Sequence, residues 1–265
     1  MNDTIRIDKE LCIGCGLCAG DCLANAIRLT DGKAEVFKNC FECGHCVAIC
    51  PVNAVRFEGD AYDMADVEPL GEGFGIDSGT MLHAIKSRRS IRQFTKEKLT
   101  REELEIILEA GRFSPTASNA QNVSYMVFTE ELGELNRIAM REMRRYRDDH
   151  ESFAKVFPPP MSTSRINFDN DDFLFKGAPA VILTLSPHTV NAAIASANME
   201  LQAVSLGLGA LYVGFFIRLA AKNERLRATL GLRATDNVAT CLAIGHPDVR
   251  YQRTVPRRKA KIIWR

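Results

Sequence analysis

The sequence lacks the features of exported and membrane-spanning chains. No segment approaches 18 consecutive apolar residues, and the N-terminus has no basic stretch followed by an apolar run. It also lacks an excess of charge, because 34 Lys and Arg residues stand against 33 Asp and Glu residues, a net charge of +1. We therefore expect a cytosolic protein whose main partner is neither a nucleic acid nor a membrane.

Cysteine is nearly absent after residue 50. Of the nine cysteines in 265 residues, eight lie between Cys12 and Cys50, and the ninth is Cys241. Cysteines crowded in this way in a cytosolic chain indicate metal binding rather than disulfides. Cys241 lies within an apolar run, so we expect it to be a buried core residue rather than a nucleophile.

The crowded segment carries one cysteine pattern twice. Cys-x2-Cys-x2-Cys-x3-Cys begins at Cys12 and again 28 residues later, and Pro51 follows the last cysteine. The segment resembles bacterial ferredoxins with two [4Fe–4S] clusters, in which the fourth cysteine of each motif ligates the other cluster. We expect the first cluster on Cys12, Cys15, Cys18 and Cys50, and the second on Cys22, Cys40, Cys43 and Cys46.

Two other interpretations of this segment are open. Paired zinc sites with four cysteine ligands each also use Cys-x2-Cys spacing, although zinc motifs normally lack the third and fourth cysteines at these positions. His45 lies inside the second motif and could be a ligand. Because all eight thiolates already have an assignment, an exposed polar residue is the better interpretation of His45.

The composition divides the chain into two parts joined by a linker. Residues 59–79 contain six acidic residues, five glycines and no Lys or Arg, which is typical of a solvated connector. We therefore expect a ferredoxin-like domain at 1–58, the linker at 59–79 and a second domain at 80–265.

The second domain alternates helix and strand signals. Thr100 and Glu103 form a capping-box pattern for a helix that we expect to end at Ala110, with Gly111 closing it. An apolar helix is expected over 191–208, and β-favouring runs at 125–129, 180–185, 211–215 and 238–244 predict the strands of one sheet. Residues 150–178, which include three consecutive prolines at 158–160, show little periodicity and suggest either a lid or excursion over a site or an arm that clasps a second subunit.

The stretch Ser87–Phe94 brings together three guanidinium groups and two hydroxyl groups, just after a short helix expected at about 80–86. Bidentate guanidinium groups suit a phosphate dianion, and a hydroxyl adds an orienting hydrogen bond. On its own the stretch also fits a solvated helix end whose positive charges complement the helix dipole. The motifs that follow this stretch in the sequence favour a phosphate-binding role for it over a solvated helix end.

These motifs occur in a fixed order. Arg-Arg-Ser-x-Arg-x-Phe at 88–94 precedes Ser114-Pro115-Thr116 with Asn119 and Gln121, then Gly207-Leu-Gly209, Val213-Gly214-Phe215, Gly245-His-Pro247 and a basic tail. Together they resemble the FMN-dependent nitroreductase family over residues 80–265. The resemblance implies an α+β fold in which helices sandwich a sheet, built as a homodimer with FMN at the subunit interface.

The same resemblance assigns the FMN contacts. It places Arg88, Arg89, Ser90 and Arg92 at the phosphate, the ribityl chain and the pyrimidine edge, with Arg257 and Lys259 completing the phosphate site. It places Pro115, Thr116, Ala117 and Asn119 against the isoalloxazine from the other subunit, and the backbone of Val213 and Gly214 near N5. The chain departs from the family in having Gln121-Asn122-Val123 for Gln-Pro-Trp, and Val213 where some members have Glu.

The two cofactor patterns together predict an iron–sulfur flavoenzyme. A flavin exchanges electrons singly or in pairs, whereas a cluster transfers one at a time, so their fusion joins one-electron carriers to two-electron organic chemistry. We expect a ferredoxin-type donor to feed the clusters, and FMN to reduce a small electrophile such as a nitro compound, a quinone or an activated alkene. No Ser-His-Asp constellation is evident, and no catalytic side chain is assigned.

Two alternatives to this function are open. In one, the protein only transfers electrons or senses redox state, and FMN is a relay. In the other, NAD(P)H reduces FMN and the clusters carry electrons outward. An open cavity over one face of the flavin favours an enzyme over a relay, and direct bleaching of the flavin by NAD(P)H favours the reversed flow.

Overall fold

The computed structural model describes residues 5–59, 61–71, 75–147, 149–157 and 162–265. They form two compact units, one of Met1–Gly75 with Ala117–Ala120, the other of Ile76–Thr116 with Gln121–Arg265. The expected linker at 59–79 is divided between the units, and its residues 60 and 72–74 lie outside the described residues, as does the proline run at 158–160. Within the described residues, no helix is both long and apolar enough to cross a membrane.

The first unit consists of two antiparallel strand pairs and two short helices. Its elements are β1 (Ile5–Ile7), α1 (Leu17–Gly20), β2 (Ile27–Thr30), β3 (Lys33–Val36), α2 (His45–Ala48) and β4 (Val55–Phe57). β1 pairs with β4, and β2 with β3. Gly16 and Gly44 precede the two helices with φ of 78° and 74°, a left-handed conformation that glycine adopts without steric cost. The internal repeat of the sequence is therefore also a repeat of structure.

The first part of the linker is more ordered than a solvated connector. The ring of Tyr62 stacks on Phe57 with ring centroids 3.9 Å apart, and its hydroxyl donates to Glu42 Oε2 at 3.1 Å. A single helical turn follows at Met64–Asp66. The acidic composition did not reveal these contacts, because one aromatic residue makes most of them.

The second unit consists of a four-stranded antiparallel sheet between two helical layers. Its strands are β5 (Ser124–Phe128), β6 (Ala180–Leu185), β7 (Gly209–Tyr212) and β8 (Val238–Gly245), in the order β5-β6-β8-β7. Its helices are α3 (Ser78–Ser87), α4 (Arg101–Arg112), α5 (Leu132–Arg144), α6 (His150–Val156), α7 (Thr189–Ser205), α8 (Gly214–Lys222) and α9 (Glu224–Thr229).

Alternating residues of the central strands face different helical layers. Ala180 and Ile182 of β6 pack with Met199 of α7 and with α4, whereas Val181 and Leu183 pack with the layer that contains α5, α6, α8 and α9. Side chains alternate between the faces of a strand, so a sheet covered on both sides favours apolar residues at most positions of its strands. This explains why β6 and β8 are largely apolar, with the hydroxyl groups of the buried Thr184 and Thr240 hydrogen-bonded to Ser196 of α7.

The structure corrects the predicted end of α4. The capping box is present, with Thr100 Oγ1 accepting from the Glu103 N–H, but the helix continues to Arg112 and so contains Gly111. A Cβ atom at residue 111 would lie 2.6 Å from Tyr125 Oη and 3.0 Å from Met199. Glycine is therefore needed there for the close approach of α4 to its neighbours rather than to end a helix.

One further prediction about this unit is wrong. The strand expected at 211–215 ends at Tyr212, and Gly214 begins α8 instead. In the described part of 150–178, the side chains of Phe153, Phe157 and Phe175 are buried in the core. The apolar helix expected at 191–208 is present as α7, two to three residues earlier at each end.

Candidate functional site

The eight clustered cysteines line two separate cavities within the first unit. One cavity is lined by Cys12, Cys15, Cys18 and Cys50 together with apolar residues such as Ile7 and Val55. The other is lined by Cys22, Cys40, Cys43 and Cys46, with Ile5 and Ile27 among the apolar residues. Each cavity thus brings together three cysteines of one motif and the fourth cysteine of the other.

Backbone amides point at several of these sulfur atoms. The N–H groups of Ala26 and Ala54 donate to Cys22 Sγ and Cys50 Sγ, each at 3.2 Å, in equivalent positions of the repeat. The N–H of Ala34 donates to Cys12 Sγ at 3.4 Å, and that of Glu42 to Cys40 Sγ at 3.0 Å. Such donors stabilise thiolates and tune the potential of a cluster bound to them.

The thiols differ in how readily they lose a proton. Backbone hydrogen bonds from Ala34 and Gly14 lower the pKa of Cys12, whereas burial raises the pKa of Cys46 to about 12. A bound metal takes the place of the proton on such a thiol. Among the described residues, no three His, Cys, Asp or Glu side chains are arranged around a single metal ion. Four thiols around each apolar cavity fit an iron–sulfur cluster.

His45 lies at the second cavity but is exposed. Its Nδ1 is 3.0 Å from Asp21 Oδ2, and its side chain remains 64% accessible. The exposed polar residue that we expected from the sequence is thus what the structure contains. Cys241 in β8 is fully buried, and burial raises the pKa of its thiol, so it has the core position expected for it.

The arginine-rich loop after α3 is fixed to the second unit at several points. Ile91 N–H donates to Ala210 O of β7 at 3.0 Å, and Ser90 forms an isolated bridge with the same residue. Ile91 also packs on Gly209, where a Cβ atom would lie 2.2 Å from the isoleucine Cγ1. Further along, Thr95 N–H donates to His246 O at 2.9 Å. The loop is therefore a rigid platform for its polar side chains.

The three arginines of this loop have different surroundings. Arg88 Nη1 lies 2.7 Å from Glu200 Oε1 of α7. Arg89 Nε is buried and has no hydrogen-bond acceptor in the described part of the chain, and its guanidinium lies 5.7 Å from the ring centre of Tyr251. Arg92 is exposed and donates to Ser90 O at 3.4 Å. A buried guanidinium nitrogen without an acceptor fits an anion supplied by a ligand.

The loop predicted to approach the flavin ring is divided between the two units. Pro115 and Thr116 belong to the second unit, and Thr116 Oγ1 accepts from Gln121 N–H at 3.0 Å. Ala117 and Asn119 belong to the first, where Asn119 Nδ2 donates to Glu42 O at 2.8 Å. This division was not predictable from local sequence patterns, because the hydrogen bond joins residues 77 positions apart.

The remaining predicted contacts lie in the second unit. Val213 is buried and its N–H donates to Cys241 O at 2.9 Å, while Gly214 begins α8. The first amides of a helix have no acceptor within it, so this turn offers hydrogen-bond donors. Arg257 and Lys259 are exposed in the C-terminal segment 246–265, which contains neither helix nor strand.

Sequence reasoning missed two charged residues near the arginine-rich loop. Glu200 is a buried carboxylate in α7, and its being the single charged residue of that helix was the available signal. Lys176 is half-buried with a φ of 59°. Burial lowers its pKa, and the positive charge of Arg92 adds to that effect.

Comparisons with known proteins agree with both parts of the chain. A family model described as "Nitroreductase family" matches residues 85–246, and one described as "4Fe-4S dicluster domain" matches residues 11–55. An "FMN reductase (NADPH)" of Bacillus subtilis is 27% identical over 171 residues, and an "NADPH-flavin oxidoreductase" of Vibrio harveyi is 31% identical over 169 residues. Each alignment covers 63% of this chain and 65% of the relative, so the chain spans just under two thirds of these relatives.

A solved structure shares the fold. The crystal structure of a nitroreductase with bound FMN from Bacteroides fragilis superimposes with a TM-score of 0.54 at 20% sequence identity. The match covers 69% of this chain and 97% of the other.

Proposed function

Because the chain belongs to the nitroreductase family and carries a 4Fe-4S dicluster domain, we propose that it is an FMN-dependent oxidoreductase fed by two [4Fe–4S] clusters. Its substrate in this proposal is a small electrophile: a nitro compound, a quinone or an activated alkene. The observation that carries the proposal is the occurrence in one chain of two four-thiol cavities and an arginine-rich loop with a buried Arg89 Nε that has no acceptor among the described residues.

The arginine-rich loop and the first turn of α8 would hold FMN. The loop Arg88–Arg92 supplies guanidinium and hydroxyl groups, and the first turn of α8 supplies amide donors after Val213. Pro115, Thr116, Ala117 and Asn119 remain proposed contacts to the ring, and Arg257 and Lys259 to the phosphate. When bound, FMN supplies hydride chemistry and couples it to single-electron transfer.

Residues of the first unit would hold the clusters. Cys12, Cys15, Cys18 and Cys50 are the proposed ligands of one cluster, and Cys22, Cys40, Cys43 and Cys46 those of the other. Support comes from the grouping of the thiols in two apolar cavities and from the amide donors to their sulfur atoms.

A second copy of the chain is the proposed partner. No residue of α3 is buried, and its Met81, Leu82 and Ile85 are each at least 43% exposed. Ile263 and Trp264 in the C-terminal segment are more than 80% exposed. Apolar side chains exposed together favour an interface, in agreement with the homodimer that the family resemblance implies. Light scattering of the purified protein measures its mass directly.

The proposal is tested by turnover with a chemically reduced ferredoxin-type donor and a nitroaromatic acceptor. Cys46→Ala should abolish most of this turnover, because it removes a ligand of the second cluster, whereas Cys241→Ala should retain it. A Cys46→Ala variant that turns over as fast as the wild type would refute cluster feeding and leave flavin-dependent reduction standing.

NADPH is an alternative electron donor. The names of the two curated relatives, which both include NADPH, favour it. In that case anaerobic NADPH bleaches the flavin of the Cys46→Ala variant at the wild-type rate. With cluster feeding, NADPH leaves the flavin oxidised in both proteins.

A further inference from the structure

Glu42 joins the loop of the second cysteine motif to two other parts of the first unit. Its N–H donates to Cys40 Sγ at 3.0 Å, and its carbonyl oxygen accepts from Asn119 Nδ2 at 2.8 Å. Its carboxylate accepts from the hydroxyl of Tyr62 at 3.1 Å. The backbone of Glu42 is left-handed, with a φ of 53°, which is uncommon for a residue with a side chain. These contacts hold it in that conformation.

The equivalent residue of the first motif, 28 positions earlier, is Gly14. It is also left-handed, with a φ of 67°, and its N–H hydrogen-bonds to the thiol of Cys12. A Cβ atom at residue 14 would lie 2.0 Å from Gly32 O, in the turn between β2 and β3. The first loop is thus packed against this hairpin, whereas the second loop contacts residue 119. The repeat of structure is broken at this point.

This difference bears on which cluster exchanges electrons with the flavin. Asn119 is a proposed contact to the isoalloxazine ring, and Cys40 is a proposed ligand of the second cluster. One residue, Glu42, links them through two hydrogen bonds. The rate of electron transfer between two bound groups falls steeply with the distance between them, so the flavin exchanges electrons with the nearer cluster. The two hydrogen bonds favour the second cluster for this role.

We propose that electrons leave the first unit through the second cluster, and that Glu42 is the residue that positions the loop of this cluster against Asn119. The inference rests on the proposed function, because it presupposes both clusters and FMN. A one-electron donor of the ferredoxin type reduces the first cluster, which passes the electron to the second. Each transfer to FMN then oxidises the second cluster by one electron, and two transfers with two protons from water reduce one FMN.

The test follows the clusters themselves by electron paramagnetic resonance, since a [4Fe–4S] cluster of this type gives a signal when reduced and none when oxidised. Cys15→Ala removes a ligand of the first cluster, and Cys43→Ala removes the equivalent ligand of the second. Both substitutions remove exposed side chains. An iron content of about four per chain checks that each variant keeps one cluster.

Each variant, with FMN bound, is reduced by dithionite, freed of excess reductant and mixed with a nitroaromatic acceptor, which oxidises the flavin. In Cys15→Ala the second cluster should lose its signal as the flavin is reoxidised. In Cys43→Ala the first cluster should keep its signal after the flavin is oxidised. The same variants without flavin measure any direct reaction between the acceptor and a cluster, which is subtracted.

The role of Glu42 has its own pair of variants, which keep all the cluster cysteines and so remain informative if a cysteine variant loses both clusters. Glu42→Gly suits the left-handed backbone and keeps the amide donor to Cys40, but it removes the acceptor for Tyr62. It should slow the oxidation of the second cluster severalfold in protein saturated with FMN. Glu42→Gln keeps an acceptor oxygen and should retain the wild-type rate. Thr30→Val removes an exposed hydroxyl group from β2 and is the matched control, which should also retain that rate.

The outcomes separate the inference from the proposed function. Loss of the signal in Cys15→Ala and its persistence in Cys43→Ala support the assignment of the second cluster. Equal loss in both variants, or persistence in Cys15→Ala, overturns it. A Glu42→Gly variant as fast as the wild type overturns the role of Glu42. A wild-type protein whose clusters keep their signals while the flavin is oxidised contradicts the proposed function instead, and it does so before any variant is made.

Discussion

At the scale of single residues, the nine cysteines differ in how exposed their thiols are to solvent. Eight line the two cavities, and some of these, such as Cys15 and Cys43, are exposed, whereas Cys241 has no accessible surface. The thiolate is the reactive form of cysteine, and burial raises the pKa of the Cys241 thiol. Reactivity should therefore follow position in the fold rather than sequence context.

Thiol labelling of iron-depleted protein at pH 8 tests this difference. Cys15 should react rapidly, and Cys241 only after denaturant unfolds the second unit, because it is inaccessible and little of it is ionised at that pH. Mass spectrometry of the labelled peptides measures both rates. Labelling of Cys241 at the rate of Cys15 in native protein would contradict its core position.

The arginine-rich loop shows what sequence can reveal about single residues and what it cannot. The cysteine spacing, together with its resemblance to two-cluster ferredoxins, was sufficient to group the cysteines as the cavities do. The difference between Arg88 and Arg89 was not predictable, because Glu200 is 112 residues from Arg88 in the chain. Only the fold brings them into contact.

At the scale of helices and strands, the contact of α4 with α7 depends on a missing side chain. Gly111 would be an ordinary helix position if α4 were isolated, and alanine is the better helix former by roughly 1 kcal/mol. In the protein, a Cβ atom added at residue 111 would lie 2.6 Å from Tyr125 Oη and 3.0 Å from Met199. The steric cost of that Cβ atom therefore outweighs the higher helix propensity of alanine.

Gly111→Ala should lower the free energy of unfolding by about 1–3 kcal/mol, the usual cost of overpacking a core. Gly133→Ala in α5 is the matched control, since no atom lies within 4 Å of a Cβ there, and it should be neutral or slightly stabilising. Chemical denaturation of both variants measures the difference. Equal free energies of unfolding for the two variants would show that α4 can shift relative to α7 to accommodate the added methyl group.

The predictions of helices and strands were correct where the local sequence signals are strong. The capping box at Thr100, the apolar strands and the long helix α7 follow from local pattern. The predictions failed at Gly111 and at Val213, where long-range packing decides. Phe157 and Phe175 have no clean periodicity, yet they fill the core between α5 and α8.

At the scale of the whole molecule, the two units have separate cores of different size. The first unit buries a few residues such as Ile5, Ala34 and Val47 around its cysteines, while the second buries both faces of its sheet. A small unit without enough apolar surface depends on metal for stability.

Removal of iron should therefore unfold the first unit and leave the second folded. Hydrogen exchange after anaerobic chelation should show lost protection in β2 and β3 and retained protection in β6 and β8. Retained protection in β2 and β3 would show that the first unit folds without clusters.

The central claim is that one chain carries two clusters and a flavin that exchange electrons. Its most direct test is an anaerobic ultraviolet–visible titration of the purified protein with dithionite and then with a nitroaromatic acceptor, together with an iron determination. The account predicts flavin bands over broad cluster absorbance, about eight irons per chain, and reoxidation of both chromophores by the acceptor. Zinc in place of iron, or a protein without flavin, would contradict it.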